Sequence, residues 1–187
     1  MYHLCQKYFL EKVDPVKVLH MAPERSMYEL LKGHPLVDYT CIDINPERYP
    51  YAKGCLKQDA LAMSFADGTF DVIISSHVIE HVPDAKAFIR ESIRCLKRTG
   101  VFLLNFPVHA GKKSFEDPSI IDGEKRYDVF GQWDHVRVLG DDYLEYLADE
   151  FYTMTIIKGE EIVSSDAIKQ SVLSSSGFVV VTPNSTL

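Results

Sequence analysis

The sequence predicts an α/β fold built on an open sheet, and three observations carry that expectation. Short runs rich in β-branched residues alternate with helical patterns along the chain. The run VFLLNF at 101–106 is apolar on both faces, as strands inside a parallel sheet are. The 187 residues, 46% of them hydrophobic, suffice for one sizeable core. Strand and helix alternating in this way give an open α/β sheet with right-handed crossovers.

The elements follow in order. Residues 1–12 place Leu4, Cys5, Tyr8 and Phe9 on one face of an amphipathic helix. Val16 to Met21 is a first strand. Met27, Leu30 and Leu31 then repeat at helical spacing until Gly33 offers a stop. Val37 to Ile44 is a second strand, and Asn45-Pro46 opens a turn or helix. Gly54 to Asp59 holds a short third strand. Phe70 to Ser75 is a fourth, preceded by the turn signal Asp67-Gly68. Residues 85–97 put Phe88, Ile89, Ile93 and Leu96 on one helical stripe, ending before Gly100; the fifth strand, 101–106, comes next. Periodicity stops between Pro107 and Gly140. A helix through Leu144, Leu147, Ala148 and Phe151 resumes it, with Asp141 and Asp142 as caps. Two strands near 152–158 and 177–182 close the chain, joined by a Ser-rich segment with room for one short helix.

Composition excludes several classes. Twenty Lys and Arg against 27 Asp and Glu give a formal charge of −7, without the basic footprint of a nucleic-acid binder. No apolar stretch approaches the roughly 20 residues needed to span a bilayer. The start, MYHLCQK, has neither the apolar core nor the cleavage signal of a secretory leader. The four cysteines, Cys5, Cys41, Cys55 and Cys95, are widely spaced, so reduced thiols in a cytoplasmic protein are expected. With no repeat, low-complexity tract or linker, 1–187 reads as a single domain.

In open α/β sheets ligands bind beyond the carboxyl ends of the strands, at the topological switch point. Those ends carry His20-Met21-Ala22-Pro23-Glu24, Asp43, Asp59-Ala60, Ser75-Ser76-His77 and Asn105-Phe106-Pro107. Asp43 follows His20 by 23 residues, near the offset at which a carboxylate meets an adenosine ribose. Capping of the Asn45-Pro46 turn is its alternative task. Asp59 suits an adenine amino group, with a solvated turn as its alternative. The first loop lacks G-x-G-x-x-G, and no phosphate-binding lysine loop is present, which disfavours NAD, FAD and nucleoside triphosphates. A ribose carboxylate without a phosphate loop points to a nucleoside that carries no phosphate.

The order VLHMAPE (18–24), CIDIN (41–45), DALAMSFADGTFDVIISSHVIEHVPD (59–84) and IRCLKRTGVFLLNFP (93–107) resembles class I S-adenosylmethionine-dependent methyltransferases of the type 11 kind. The resemblance covers about 17–107 well and 140–182 by pattern only. Its most specific part is Phe65 to Val82, followed by a helix and the Leu96–Gly100 turn. The departure is the first loop, where H-x-A-P-E, as in a subgroup of the family, replaces the glycine-rich motif. The resemblance implies a Rossmann-like, doubly wound, seven-stranded sheet in three α/β/α layers, mostly parallel with an antiparallel last strand. It implies S-adenosyl-L-methionine as cofactor, held by His20, Ala22, Glu24, Asp43, Ile44, Asp59, Ala60, Ser76 and His77. Glu24 is the natural group to meet the cofactor's ammonium; a satisfied strand-end histidine is the alternative for His20. The implied activity is methyl transfer to a small-molecule acceptor by in-line displacement; a homodimer is left open, since the sequence does not decide the oligomeric state.

Two rivals stand beside it. His77-Val78-Ile79-Glu80-His81 spells H-x-x-E-H, which on a helix would set two histidines on one face for zinc, with Glu145 or Glu150 as third ligand. The position directly after a buried strand, with Pro83 close behind, argues against that helix, and no metal is expected. A non-catalytic scaffold on the same fold is the other rival, motivated by the missing glycines.

Residues 107–140 exceed an ordinary crossover in length, yet contain Phe115, Tyr127, Phe130 and Trp133. The run Phe130 to Arg137 gathers aromatic, amide, acidic, imidazole and guanidinium groups, and the insert 108–138 is expected to act as a lid over the acceptor. A structural clasp is its alternative. His77, His135 and Arg137 are the candidate catalytic residues, with His109 a further candidate base for a hydroxyl acceptor.

Overall fold

Nine strands form in the described parts of the chain: β1 (Val16–Met21), β2 (Val37–Asp43), β3 (Leu56–Lys57), β4 (Phe70–Ser76), β5 (Leu96–Phe106), β6 (Phe115–Glu116), β7 (Arg137–Val138), β8 (Tyr152–Ile157) and β9 (Gly177–Pro183). The structure, a computed structural model, describes residues 1–10, 13–157 and 177–184. Seven strands make one sheet in the order β3-β2-β1-β4-β5-β9-β8. β1 to β5 run parallel, and β9 lies antiparallel between β5 and β8. From β1 the chain first builds outward through β2 and β3, then returns to add β4 on the other side. The two directions of winding part between β1 and β4, which is where a crevice opens.

Alternation along each strand sorts side chains to two faces. Val18, Val72, Ile74 and Leu103 pack with Leu4 and Phe9 of the N-terminal helical turns and with Met27 and Leu31 of α2 (Arg25–Lys32). Leu19, Met21, Ile73, Phe102 and Leu104 face the opposite layer, which holds Phe88 and Ile89 of α3 (Ala85–Cys95). Helices on both faces therefore bury the parallel strands, as predicted. Each fully buried Leu, Ile or Phe stabilises this arrangement by roughly 1.5–3 kcal/mol. The α3 helix starts where Asp84 accepts a hydrogen bond from the Ala87 amide at 2.9 Å.

Three boundaries differ from expectation. The third helix stops at Cys95, because Leu96 already pairs with Phe70 as the first residue of β5. The register then shifts, so that Val72 meets Val101, and the chain between them bulges out. Gly100 sits in that bulge, where a Cβ would lie 2.8 Å from the Asp71 carbonyl oxygen, so only glycine fits. The helix after residue 140, α5 (Tyr143–Leu147), ends before Phe151. Asp141 and Asp142 do not cap it by side-chain hydrogen bonds; their carboxylates accept from the amides of Gly111 and Ser114 instead. The short helix expected in the Ser-rich segment lies outside the described residues.

The segment 107–140 has structure of its own. β6 pairs with β7, and α4 (Gly123–Phe130) is capped by Asp122, which accepts from the Lys125 amide at 3.0 Å. Among the described residues no helix is long and apolar enough to cross a membrane.

Candidate active site

A cavity of about 800 Å³ opens at the carboxyl ends of β1, β2 and β4, within the size range of small-molecule sites. Its floor is Met21 and Ala22 from β1 and its following bend, and Ile42 to Ile44 from the end of β2. Gln58, Asp59 and Ala60 supply one wall, and His77 and Val78 the other. The turn His81–Pro83 and the insert residues Gln132–Asp134 close the far side. Of the residues singled out from sequence, Ala22, Asp43, Ile44, Asp59, Ala60 and His77 are thus brought together. Arg48, Tyr49 and His81 also line the cavity, and sequence reasoning passed over them as cavity residues; the signal for His81 lay in the H-x-x-E-H run.

Ala22 has φ 49° and His77 φ 54°, left-handed conformations for residues with a Cβ. Both occur where a strand ends at the cavity, a placement typical of backbone strain held in place by its surroundings. The Ala22 amide donates to the Ile42 carbonyl at 3.0 Å and the His77 amide to the Asn105 carbonyl at 3.0 Å, which fixes both bends. The first loop therefore makes a left-handed bend without a glycine.

His20 does not face the cavity. Its ring is fully buried, with Nδ1 2.9 Å from the Tyr39 hydroxyl and Nε2 2.8 Å from Glu24 Oε2. Burial pushes the Tyr39 hydroxyl above its ordinary range, so the phenol donates to Nδ1 and the imidazole Nε2–H donates to Glu24. Burial would raise the Glu24 carboxyl, but the hydrogen bond from His20, with that of the Ser76 hydroxyl, outweighs it and holds the acid below its usual value. His20 and Ser76 thus position a partly exposed, ionised Glu24 rather than lining the cavity themselves.

Asp43 Oδ1 accepts from the Asn45 amide at 2.7 Å, so it does cap the turn. A carboxylate has about four lone-pair sites, and the group still borders the cavity. Asp59 behaves alike, accepting from the Leu61 amide at 2.9 Å. Ile44, an apolar side chain 57% exposed, projects beside them.

His77 Nδ1 lies 3.1 Å from Glu80 Oε1, and that hydrogen bond raises its pKa against the opposing effect of burial. Residues 77–83 form bends and turns rather than a helix. His77 and His81 therefore do not share a helical face, and the H-x-x-E-H arrangement of a zinc hydrolase does not form. Arg137 is likewise elsewhere than expected. It is 1% exposed and donates to the Ile79, Val82 and Pro83 carbonyls and to Glu116 Oε2. Its donors are spent clasping the insert to the turn after β4. His135 is buried behind His81, their rings 4.8 Å apart, and Trp133 is 62% exposed rather than packed on the sheet.

Comparison with known proteins agrees with this geometry. Residues 24–104 match the family described as a methyltransferase domain. That stretch, under half of the chain, includes Asp43, Asp59 and His77 of the cavity and resembles class I, S-adenosylmethionine-dependent methyltransferases. Ajmaline N-methyltransferase of Rauvolfia serpentina is 34% identical to it over a segment covering 36% of this chain and 28% of that enzyme. The chain thus spans under a third of the length of that curated relative. Among solved structures, the PH0226 protein of Pyrococcus horikoshii superposes with a TM-score of 0.64 at 23% identity, covering 97% of this chain and 86% of that one. Coclaurine N-methyltransferase, bound to N-methylheliamine and SAH, superposes with a TM-score of 0.56 at 14% identity, covering 82% of this chain and 46% of that one. Likenesses at these identities show the fold.

The residues at the cavity suit the cofactor class of such domains. Two carboxylates with spare lone pairs and the exposed, apolar Ile44 border the cavity, and the partly exposed Glu24 follows two residues after Ala22.

Proposed function

We propose that this chain catalyses S-adenosylmethionine-dependent methyl transfer to a small-molecule acceptor by in-line displacement. The observation that carries the reading is the convergence of Ala22, Asp43, Asp59 and His77 on one cavity at the switch point of the sheet. When bound, the cofactor supplies a methyl group activated on a sulfonium.

The chain's own residues bind, orient and exclude water. Asp43 takes the ribose hydroxyls with the lone pairs its turn leaves open. Ile44 and Ala60 flank the adenine, and Asp59 accepts from its amino group. Glu24, held ionised by His20 and Ser76, meets the ammonium of the methionine portion. His77 stands where the cofactor and acceptor halves of the cavity meet and orients the acceptor. His135 and Arg137 act behind it, Arg137 as a positioning residue that holds the turn bearing His81. The insert 108–138 is the lid of this single domain, closing over the acceptor through Trp133. With the cofactor bound, these residues would hold the acceptor close to the transferable methyl group and keep water out of the cavity.

Calorimetric titration with S-adenosylmethionine and its demethylated product tests the reading. Binding of both, followed by methyl transfer to members of a panel of small amines and phenols, is the expected result. Binding without transfer to any acceptor would favour a scaffold on this fold, and absence of binding would overturn the cofactor assignment.

A further inference from the structure

The clasp between the insert and the turn after β4 brings three potential ligands together. Glu80, His81 and His135 each offer one donor atom, and these atoms lie within 4.8 Å of one another. Glu80 is 2% and His135 8% exposed, while His81 is partly open and lines the cavity. Among the described residues, Glu80 Oε2 and His135 Nδ1 have no hydrogen-bond partner. A buried carboxylate oxygen and a buried imidazole nitrogen left bare side by side are costly unless something fills the gap.

The other polar atoms of the three groups are already engaged. Glu80 Oε1 lies 3.1 Å from His77 Nδ1. His81 Nδ1 lies 3.3 Å from the Asp134 carbonyl oxygen and 3.5 Å from its Oδ2. With Nδ1–H donating there, His81 Nε2 carries the lone pair. His135 Nδ1 has no hydrogen-bond partner and is free to coordinate. Histidines that bind metals show this pattern: one nitrogen donates to a carbonyl or carboxylate, fixing the tautomer, and the other coordinates. The backbone is held for it as well. The Val136 amide donates to the Glu80 carbonyl at 3.0 Å, and Arg137 secures the carbonyls of Ile79 and Val82.

We propose that Glu80, His81 and His135 form a binding site for a divalent transition-metal ion of the zinc type, on the wall of the cavity opposite β2. Two imidazoles and one carboxylate suit zinc or cobalt, whereas magnesium and calcium take oxygen ligands. Bond lengths of about 2.0–2.2 Å place tetrahedral ligand atoms roughly 3.3–3.6 Å apart, so side-chain adjustments of about 1 Å close the site. Three protein ligands leave a fourth position, which opens to the cavity past His81 and suits an oxygen or nitrogen of the acceptor. That last role rests on the methyltransferase reading; the metal site itself does not.

The test is titration of the chelator-stripped 187-residue chain with Co²⁺, followed by Zn²⁺, without cofactor. The expected result is one equivalent of Co²⁺ bound tighter than about 10 µM, with visible d–d absorption of a tetrahedral site. Zn²⁺ should displace it, and Mg²⁺ at the same concentration should not. Glu80→Gln and His135→Asn should each weaken binding at least tenfold, the scale on which even outer partners of a metal ligand act. His81→Asn, at a partly exposed position, should do the same with an unchanged melting temperature. Absence of stoichiometric Co²⁺ binding, or equal affinity in a folded His81→Asn protein, overturns the proposal. S-adenosylmethionine affinity, measured separately, shows whether the cofactor reading stands or falls independently.

Discussion

The imidazole Nε2 of His20 lies 2.8 Å from Glu24 Oε2 across the bend that ends β1. With Tyr39 on the other ring nitrogen, a buried strand histidine is fully satisfied and holds the partly exposed Glu24 carboxylate in place. Tyr39→Phe removes the outer member of this relay. It should lower stability by about 1 kcal/mol, the net value of a typical hydrogen bond. His20→Leu should cost more, because it strips partners from both Tyr39 and Glu24. Chemical denaturation of the two variants checks the ranking, and equal stability of all three proteins would refute the relay.

Acid should loosen the wall that carries Asp59 and Ala60. Arg94 donates to Glu91 and Asp67 and to the carbonyls of Met63 and Phe65, and Glu91 accepts from the Met63 amide. The hydrogen bond from Arg94 holds the Glu91 carboxyl below its ordinary 4.5, against the opposing effect of burial. A depressed acid contributes stability that is present above its unfolded pKa and lost as pH falls through the folded one. The wild type should therefore lose stability below about pH 4.5 more steeply than Glu91→Gln, which is already weaker at neutral pH. Melting temperatures across pH 3–7 give the comparison, and parallel curves would contradict it.

Ala22 is where strain can be traded against chain entropy. A left-handed conformation costs an L-residue roughly 1–2 kcal/mol, and glycine gives back about 0.5–1 kcal/mol in unfolded-state freedom. Ala22→Gly should thus be neutral or stabilising by up to about 1 kcal/mol. Ala22→Val should destabilise by about 2 kcal/mol or more, since a β-branched residue tolerates positive φ worst. A more stable valine variant would show that the bend can relax.

Asp43 divides its carboxylate between the Asn45 amide and the cavity. Asp43→Ala should weaken S-adenosylmethionine binding by roughly 1.5–3 kcal/mol, the scale for hydrogen bonds to a charged group. Calorimetry on the folded variant measures it. Unchanged affinity would assign Asp43 to the turn alone.

Closure of the insert should be confined to its middle. The clasp holds both ends, where the Arg137 donors are spent and Gly140 passes so close that a Cβ would lie 2.1 Å from the Lys112 carbonyl oxygen. Hydrogen exchange near 109–116 and 136–141 should be slow without ligand. On addition of cofactor and acceptor, exchange across 118–134 should slow and the fluorescence of Trp133, the single tryptophan, should change. No change in either signal would make the whole insert a fixed clasp.

The α/β class, the strand positions and the strand-end residues Ala22, Asp43, Asp59 and His77 could be read from the sequence alone. Those features arise from local rules. Period-2 and period-3.6 patterning decides which face is buried, and parallel winding carries successive strand ends to one edge of the sheet. What the tertiary structure decided is how polar groups distant in the chain pair with one another. His20 looked like a cofactor contact until Tyr39, from the neighbouring strand, took its second nitrogen. Arg137 looked catalytic until the turn 79–83 presented three carbonyls to it. The strand before and Pro83 after already spoke against a helix at H-x-x-E-H, but only the fold shows that the turn there brings His135 against Glu80 and His81. A buried charge must find partners wherever the fold supplies them, and no spacing within a single element records which partner comes from 50 residues away.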